Sequence, residues 1–365
     1  MFSEKDLQSL LDYSAGSQVL SVYLNTDPTE INTESAKLRL RNLLKTVDLQ
    51  EDVQAVEDFV SLEYDWGAKG LVIFSDQQAD FFQSYQFNLS VPNKIYVGVR
   101  PIIRPLVRLM DTFTGWSVVL VDKQGARLFS FDFGELGEVE GVTGDEVKQQ
   151  KRGGGNAMPG RMGGGKLSAN VENIIERNIK EVIDTATDFF AHHHVRRIMI
   201  GGTGDNIARF KDELPKSWQS LVVGEFPMSM TASNVDVLEQ ATKEALSAQK
   251  RTNQFLVDQA VTQAAKGSTG VTGLDDTLNA IHEGRVKTLL VSQDFEHEGY
   301  RCQGCGYLTT QALEKCPFCG DSFERIDQAV EMAVQETLQK SAEVKVIADN
   351  EQLERIGHIA AILRY

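Results

Sequence analysis

All four cysteines of the 365-residue chain fall within one short segment, CQGCGYLTTQALEKCPFCG. They form two Cys-x-x-Cys pairs, and a glycine follows each pair, at Gly306 and Gly320. A Cys-x-x-Cys turn directs two thiolates at one ion, so two such turns supply the four sulfurs of a tetrahedral zinc site. Because four protein ligands leave no open position, the zinc is predicted to be structural. The predicted ligands are Cys302, Cys305, Cys316 and Cys319.

Two disulfides or a redox pair are the alternatives for this spacing. Disulfides are rare in cytosolic proteins, and a redox motif needs no second copy so close to the first. A zinc ribbon over residues 300–322 is therefore the favoured interpretation, and the nearby His297 is interpreted as a surface residue.

A second chemical feature is the basic, glycine-rich loop KRGGGNAMPGRMGGGK, residues 151–166. Seven glycines lie between Gly153 and Gly165, and no Asp or Glu occurs from Val147 to Val171. Such a loop is costly in entropy to order, and its bare backbone can approach another macromolecule closely. A solvated linker is the alternative. The predicted RNA-binding residues are Lys151, Arg152, Arg161 and Lys166.

The run Gly160-x-x-x-x-Gly165-Lys166 nearly matches a nucleotide-binding phosphate loop. That motif needs Ser or Thr directly after the lysine, because the hydroxyl ligates magnesium. Leu167 stands there instead, and the preceding KQQKRGGGNAMP is no strand pattern. A phosphotransfer enzyme that uses this loop is therefore disfavoured.

The elements that must position these residues alternate between strands and helices, so the predicted fold class is α/β. A long helix, VENIIERNIKEVIDTATDFFAHH, follows the loop, and another runs from Asn234 to about Gln263. Further predicted helices include EDVQAVEDFVSLEY, PIIRPLVRLMDTF and DQAVEMAVQETLQKS. The predicted strands include QVLSVYLNT, AKGLVIFSD, NKIYVGV, WSVVLV, RRIMIGG, SLVVGEF, VKTLLVSQD and EVKVIAD.

These elements group into three predicted domains, 1–115, 116–250 and 251–365. An apolar content of 41% suffices for real cores, while no run approaches the ~20 apolar residues of a membrane helix. The polar start MFSEKDLQSL shows no secretory signal, so a cytoplasmic protein without a membrane partner is predicted. The net charge of −15 argues against a surface that tracks DNA as a whole.

Two further groups have simple structural interpretations. The histidine run 192–194 stands at a predicted helix end, where side chains one residue apart diverge and cannot all reach one ion. Asp275 and Asp276 open a predicted helix, where Asp caps free amides.

Several segments in their chain order resemble the class-I peptide chain release factors of eukaryotes and archaea and their relative Pelota. They are KRGGGNAM before a long helix, IMIGGTGDNIARFKDEL, GLDDTLNAIHEGRVKTLLVSQD and the ending IGHIAAILRY. The resemblance implies a three-domain release-factor-like architecture with the zinc ribbon in the C-terminal domain. It further implies that the ribosome, peptidyl-tRNA and a translational GTPase are partners, and that the middle domain reaches the peptidyl-transferase centre.

The chain departs from this family at the catalytic Gly-Gly-Gln motif. One alignment places Gly155 on the glutamine, and a one-residue shift places Asn156 there. The catalytic candidates implied by the resemblance are Gly153, Gly154, Gly155 and Asn156. A backbone amide or the Asn amide would then have to order the attacking water.

The stop-codon motifs are also missing: Asn-Ile-Lys-Ser is absent, and of Tyr-x-Cys-x-x-x-Phe only Tyr96 remains, with Gly98 and Ile102 at the other positions. Tyr96 is interpreted as a strand residue that packs in the core. The predicted function is a release or rescue factor that hydrolyses peptidyl-tRNA independently of stop codons. The alternative is a non-catalytic, Pelota-like ribosome-binding factor.

Overall fold

The computed structural model describes residues 2–14, 16–143 and 164–365, with the backbone alone for 138–140 and 164–171. It is a mixed α/β structure with four sheets among the described residues. None of the helices in these ranges has the length and apolar content needed to cross a membrane.

The chain divides into two compact units. A discontinuous unit combines Met1–Thr112 with Gln249–Tyr365, and an inserted unit consists of Phe113–Ala248. The division into three domains, with the boundaries given above, stays a prediction.

The N-terminal part of the chain forms one antiparallel sheet in the order β3-β2-β1-β4. Leu20, Val22 and Leu24 of β1 pack with Leu40 and Leu44 of α2, so the helices cover one face of the sheet. The elements are α1 (Glu4–Asp12), β1 (Val19–Asn25), α2 (Thr33–Leu44), α3 (Gln50–Asp58), β2 (Gly70–Asp76), β3 (Phe81–Phe87), β4 (Lys94–Gly98) and α4 (Arg104–Phe113).

The inserted unit contains a five-stranded sheet in the order β7-β6-β5-β8-β9. Strands β5, β8 and β9 are parallel, while β6 and β7 continue the sheet antiparallel. The elements are β5 (Trp116–Val121), β6 (Gly125–Asp132), β7 (Glu135–Thr143), α5 (Gly164–His192), β8 (Arg197–Gly202), α6 (Gly204–Glu213), α7 (Lys216–Gln219) and β9 (Val222–Pro227).

The C-terminal part forms a sheet in the order β10-β16-β11-β15 and a separate small sheet, β13-β12-β14. The small sheet is inserted in the sequence between β11 and α10. The elements are α8 (Asn234–Ala265), β10 (Gly270–Thr272), α9 (Leu274–His282), β11 (Val286–Ser292), β12 (Gly299–Cys302), β13 (Leu308–Thr309), β14 (Phe323–Ile326), α10 (Ala329–Gln339), β15 (Glu343–Ile347), α11 (Glu351–Arg355) and β16 (Ile359–Leu363).

Three details differ from the sequence predictions. Strands β3 and β7 were not predicted, because each is an edge strand of its sheet and its pattern is only weakly apolar. Helix α5 begins at Gly164 instead of Val171. The helix predicted over EDVQAVEDFVSLEY ends as α-helix at Asp58 and continues as a π-helical turn to Glu63.

A buried ion pair joins the N-terminal and C-terminal parts of the discontinuous unit. Arg104 Nε donates to Glu331 Oε2 at 2.9 Å, and the two side chains are only 6% and 2% exposed. The backbone N–H of Ile103 donates to the other oxygen, Glu331 Oε1, at 2.8 Å. Both carboxylate oxygens of an α10 residue are therefore satisfied by the start of α4.

We expect Glu331→Ala to lower the free energy of unfolding by about 3 kcal/mol, because a buried Arg104 would lose its counter-ion. Urea denaturation followed by circular dichroism measures the change. Glu351→Ala is the matched control, since Glu351 forms an exposed pair with Arg355 whose loss should cost no more than about 0.5 kcal/mol. Equal losses for the two variants would contradict this assignment.

Candidate functional site

The four cysteines come together in the small sheet β13-β12-β14 and its turns. Their sulfur atoms all lie within 4.8 Å of one another. In the described part of the chain, no other group of three or more His, Cys, Asp or Glu residues is close enough to share an ion. The sequence prediction that these residues form one cluster is therefore confirmed.

Two similar backbone turns present the sulfurs. The N–H of Gly306 donates to the Cys302 carbonyl at 3.0 Å, and that of Gly320 donates to the Cys316 carbonyl at 2.9 Å. Both glycines have a positive φ, +76° and +79°, a conformation that a residue with a Cβ adopts only at a cost. The glycine after each pair is thus required by the turn itself.

The spacing between the sulfurs favours an ion over a disulfide. The Sγ atoms of Cys302 and Cys319 are 3.3 Å apart, those of Cys305 and Cys316 are 3.6 Å apart, and all four thiols are free. A disulfide requires a sulfur–sulfur distance of about 2.05 Å. Four sulfurs bound tetrahedrally at ~2.3 Å from an ion would lie roughly 3.8 Å apart. The cluster can therefore close around one metal ion with little rearrangement.

The backbone around Cys302 also favours its thiolate form. Burial alone would raise the pKa of the Cys302 thiol, but hydrogen bonds from the Cys305 amide, the Cys319 thiol and the Gly304 amide lower it to about 7. Thiolate is the form that ligates a metal, so these donors make it easier to deprotonate Cys302 for metal binding.

Side chains next to the cysteines attach this module to α9. The ring of Tyr307 packs against those of Phe318 and Phe323, and its hydroxyl donates to Asn279 of α9. Asp275 accepts a hydrogen bond from the Thr310 hydroxyl. The prediction that Asp275 caps α9 was wrong, because the helix has Gly273 at its N-cap without a side-chain cap, and Asp275 faces the module instead.

The sequence predictions did not include Tyr307, Asn279 or Thr310 as attachment residues. The position of Tyr307 directly after Cys305-Gly306 was the one available signal, since an aromatic residue there can cover the sulfurs. Asn279 and Thr310 gave no signal, because each is polar and isolated in its segment.

The residues predicted to bind RNA and to catalyse lie almost entirely outside the described residues. This applies to Lys151, Arg152, Gly153, Gly154, Gly155, Asn156 and Arg161. Lys166 lies in the first turn of α5, and its side chain is not among those described.

The structure does describe the helix that follows the glycine-rich loop. Apolar residues at helical spacing, including Ile175, Ile179, Val182 and Phe190, are buried against the sheet of the inserted unit. Asn178 donates to the Lys123 carbonyl at 3.2 Å, and Glu172 pairs with Arg209 of α6. These contacts fix α5 from Glu172 onward, so the C-terminal end of the loop segment joins a firmly packed helix.

Other predicted side chains have structural roles. Tyr96 lies on β4 with its ring edge-on to that of the buried Tyr23, and burial raises its pKa to about 12. Helix α5 ends at His192, so the histidine run stands at a helix terminus as predicted.

Two family models match consecutive parts of the chain. Residues 101–246 match the model described as "Bacterial archaeo-eukaryotic release factor family 10", and residues 251–365 match "eRF1 domain 3". The matches cover almost all of the inserted unit and of the C-terminal part, including the cysteine module.

Individual relatives agree with these models. "Protein pelota homolog" of Pyrococcus abyssi is 24% identical over 214 residues, which are 56% of this chain and 53% of the relative. "Peptide chain release factor subunit 1" of Archaeoglobus fulgidus is 26% identical over 231 residues, 55% of this chain and 56% of the relative. The chain therefore spans about half the length of these curated relatives.

Among solved structures, the chain is similar to Saccharomyces cerevisiae Dom34, described as "a translation termination-like factor involved in RNA quality control pathways and interacting with Hbs1". The sequences are 9% identical and the TM-score is 0.45, with 100% of this chain and 91% of Dom34 covered.

We expect the purified protein to carry about one metal ion per chain and Cys316→Ser to lose it, since three sulfurs hold a structural ion far more weakly than four. Elemental analysis after gel filtration measures the content, and a chelator should lower the melting temperature of wild type but not that of Cys316→Ser. Lys315→Ala is the control, because Lys315 is exposed one residue away on the same turn. A Cys316→Ser variant with full metal content would contradict the assignment.

Proposed function

We propose that this protein, which belongs to the superfamily of archaeal and eukaryotic release factors and Pelota, is a ribosome-associated factor that releases stalled nascent peptides. The observation that carries this proposal is the succession of two family matches along the chain, residues 101–246 and then 251–365, with only four residues between them. We propose the cytoplasm as its location and the ribosome and peptidyl-tRNA as its partners. A translational GTPase is the further partner proposed.

In this proposal, the loop 151–166 enters the peptidyl-transferase centre and the reaction is hydrolysis of the peptidyl-tRNA ester. A water attacks the ester carbonyl, the acyl–oxygen bond breaks, and the tRNA 3′-hydroxyl leaves with a proton. Gly153, Gly154 and Gly155 allow the backbone to lie against the terminal adenosine. The amide of Gly155 or the side chain of Asn156 orders the water and stabilises the developing oxyanion.

The elements on either side of the glycine-rich segment support this proposal. The segment connects β7, the edge strand of the sheet, with α5, whose apolar face is buried on the same sheet. The segment is thus held at both ends by a packed scaffold, which favours precise delivery of a few loop residues. The cations Lys151, Arg152, Arg161 and Lys166 would pair with RNA phosphates on the way.

The second candidate function is a non-catalytic, Pelota-like factor that binds the ribosome and uses the loop only for docking. The absence of glutamine from the loop favours this alternative, while the relatives fit both candidates, since a Pelota homologue is 24% identical and a release factor 26% identical. Stop-codon reading belongs to neither candidate, because the codon-reading motifs are absent from the N-terminal part. Nucleotide hydrolysis by the loop is the least favoured, since Leu167 replaces the magnesium-binding hydroxyl.

We further propose that the ion held by Cys302, Cys305, Cys316 and Cys319 is zinc and that its role is structural. Four thiolates suit zinc, and they leave no position for a water or substrate. The module has few apolar residues of its own, so the metal would supply the energy that holds its turns together.

For the catalytic proposal, we expect Gly154→Ala and Gly155→Ala to abolish peptide release while ribosome binding persists, because a methyl group there would displace the loop from the ester. The measurement combines wild-type or variant protein with ribosomes that carry labelled peptidyl-tRNA and no stop codon. Free peptide and co-sedimentation are followed in parallel.

Gly204→Ala is the matched control, since a Cβ at this glycine of α6 meets no atom within 4 Å. Co-sedimentation of wild type without peptide release would favour the docking function. Absence of both would contradict the ribosomal proposal as a whole.

For either function, we expect Arg152→Gln and Arg161→Gln to weaken ribosome binding and to make it less salt-dependent. Each phosphate that is no longer neutralised should reduce the slope of log affinity against log salt by roughly 0.7 to 0.9. Lys211→Gln is the control, because Lys211 is already paired with Glu225 at 2.6 Å. Equal slopes for all variants would show that the loop does not contact RNA.

A further inference from the structure

A cleft of about 190 Å³ opens in the discontinuous unit beside the cysteine module. Arg100, from the segment between β4 and α4, lines it together with Arg301 of β12. Cys305 and Gly306 line it at the cysteine turn, and Met332, Gln335 and Glu336 of α10 complete most of the wall. The cleft therefore brings together two arginines that are far apart in the sequence.

Both arginines line the same cleft. Burial, and after it the charge of Arg301, lower the pKa of Arg100, and the charge of Asp12 opposes them. The Arg100 guanidinium donates one long hydrogen bond, 3.4 Å, to the Leu11 carbonyl. Two like charges that the fold places on one cleft favour an anionic ligand between them.

The acidic groups near the cleft are already engaged or loosely held. Glu336 pairs with Lys340 at 2.7 Å. Glu324 lies 3.6 Å from Arg301, and these two side chains are 45% and 38% exposed, so their pair is weak and easily exchanged. An incoming anion can therefore take hydrogen bonds from both arginines without leaving a buried carboxylate unpaired.

The geometry favours a phosphate over a carboxylate. A guanidinium presents a planar fork of donors, and one fork is enough to bind both oxygens of a carboxylate. The two guanidinium groups on this cleft together offer more donors than one carboxylate can accept, and a phosphate group has enough acceptor oxygens for both. Gly306, with φ of +76°, also leaves the rim of the cleft beside Arg301 without a side chain.

We propose that this cleft binds a phosphate group between Arg100 and Arg301, presented by an RNA backbone or as a free anion. The RNA source rests on the proposed ribosomal function, since a factor that binds ribosomes meets phosphodiesters at close range. The phosphate site itself depends only on the geometry of the discontinuous unit. It lies far along the sequence from the basic loop and would be a separate contact.

The test uses the full-length protein and the double variant Arg100→Gln/Arg301→Gln. Calorimetry with inorganic phosphate and fluorescence anisotropy with a labelled single-stranded RNA address the two sources. We expect the double variant to bind its ligand about tenfold or more weakly, because two charge-assisted donors are removed. If RNA is the source, the salt slope should fall by about 0.7, since one phosphate is no longer neutralised.

Arg355→Gln is the matched control, since Arg355 is 78% exposed and pairs only along its own helix with Glu351. Metal content and melting temperature are measured for every variant, because Arg301 precedes Cys302. If the double variant loses its metal, Arg100→Gln alone carries the test, and Arg100→Lys should restore part of the affinity through its charge.

Loss of phosphate binding alone supports the site with a free anion as its ligand, and loss of RNA binding as well supports the backbone source. The proposal is overturned if the double variant binds phosphate and RNA as tightly as Arg355→Gln does. It is also overturned if wild type binds a glutamate-rich peptide but no phosphate. If wild type binds phosphate through these arginines but does not sediment with ribosomes, the ribosomal function fails and the cleft stands. If wild type and the double variant sediment equally with ribosomes and neither binds phosphate, the cleft proposal fails and the ribosomal function stands.

Discussion

The buried carboxylate of Glu331 accepts hydrogen bonds from the Ile103 amide at 2.8 Å and the Arg104 guanidinium at 2.9 Å. Gln335, one turn further along α10, adds a longer one at 3.4 Å and donates to the Pro101 carbonyl at 2.9 Å. A carboxylate taken out of water is tolerated only when its oxygens are satisfied in this way. The N-terminal and C-terminal parts of the chain therefore depend on each other and form one unit despite the long insertion between them.

A second network lies where the chain leaves and re-enters this unit. Asp111, near the end of α4, accepts from Lys345 of β15 and from Gln249 of α8, both at 2.6 Å. Thr112 and Gln249 are the residues at the boundary with the inserted unit. Because polar groups of α4, α8 and β15 meet at one carboxylate, both crossing points of the chain are anchored to the same sheet.

The segments with distinctive chemistry are both insertions between regular elements. The glycine-rich loop lies between β7 and α5, and the cysteine module lies between β11 and α10. In the described residues, the hydrophobic cores are built mainly from regular helices and strands. The cysteine module contacts α9 through a few polar and aromatic groups, among them Tyr307, Thr310 and Asp275.

Much of the fold was predictable from local pattern. The alternating or continuous apolar runs of β1, β2, β5, β8 and β11 predicted strands, and the 3.6-residue spacing in α5 predicted its buried face. The edge strands β3 and β7 were missed, because an edge strand is half exposed and its pattern is weak. Asp275 was misassigned, since a carboxylate near a helix start has two possible partners and only the position of Thr310 decides between them.

The sequence by itself determined the cysteine cluster, because a Cys-x-x-Cys-Gly turn depends on a few adjacent residues and their backbone conformation. It also determined the basic, glycine-rich character of residues 151–166, which is a matter of composition. Only the tertiary structure decided that Arg104 meets Glu331 and that Arg100 and Arg301 line one cleft. Their encounter results from the packing of whole sheets and helices, and no local pattern of residues encodes which distant charges that packing brings together.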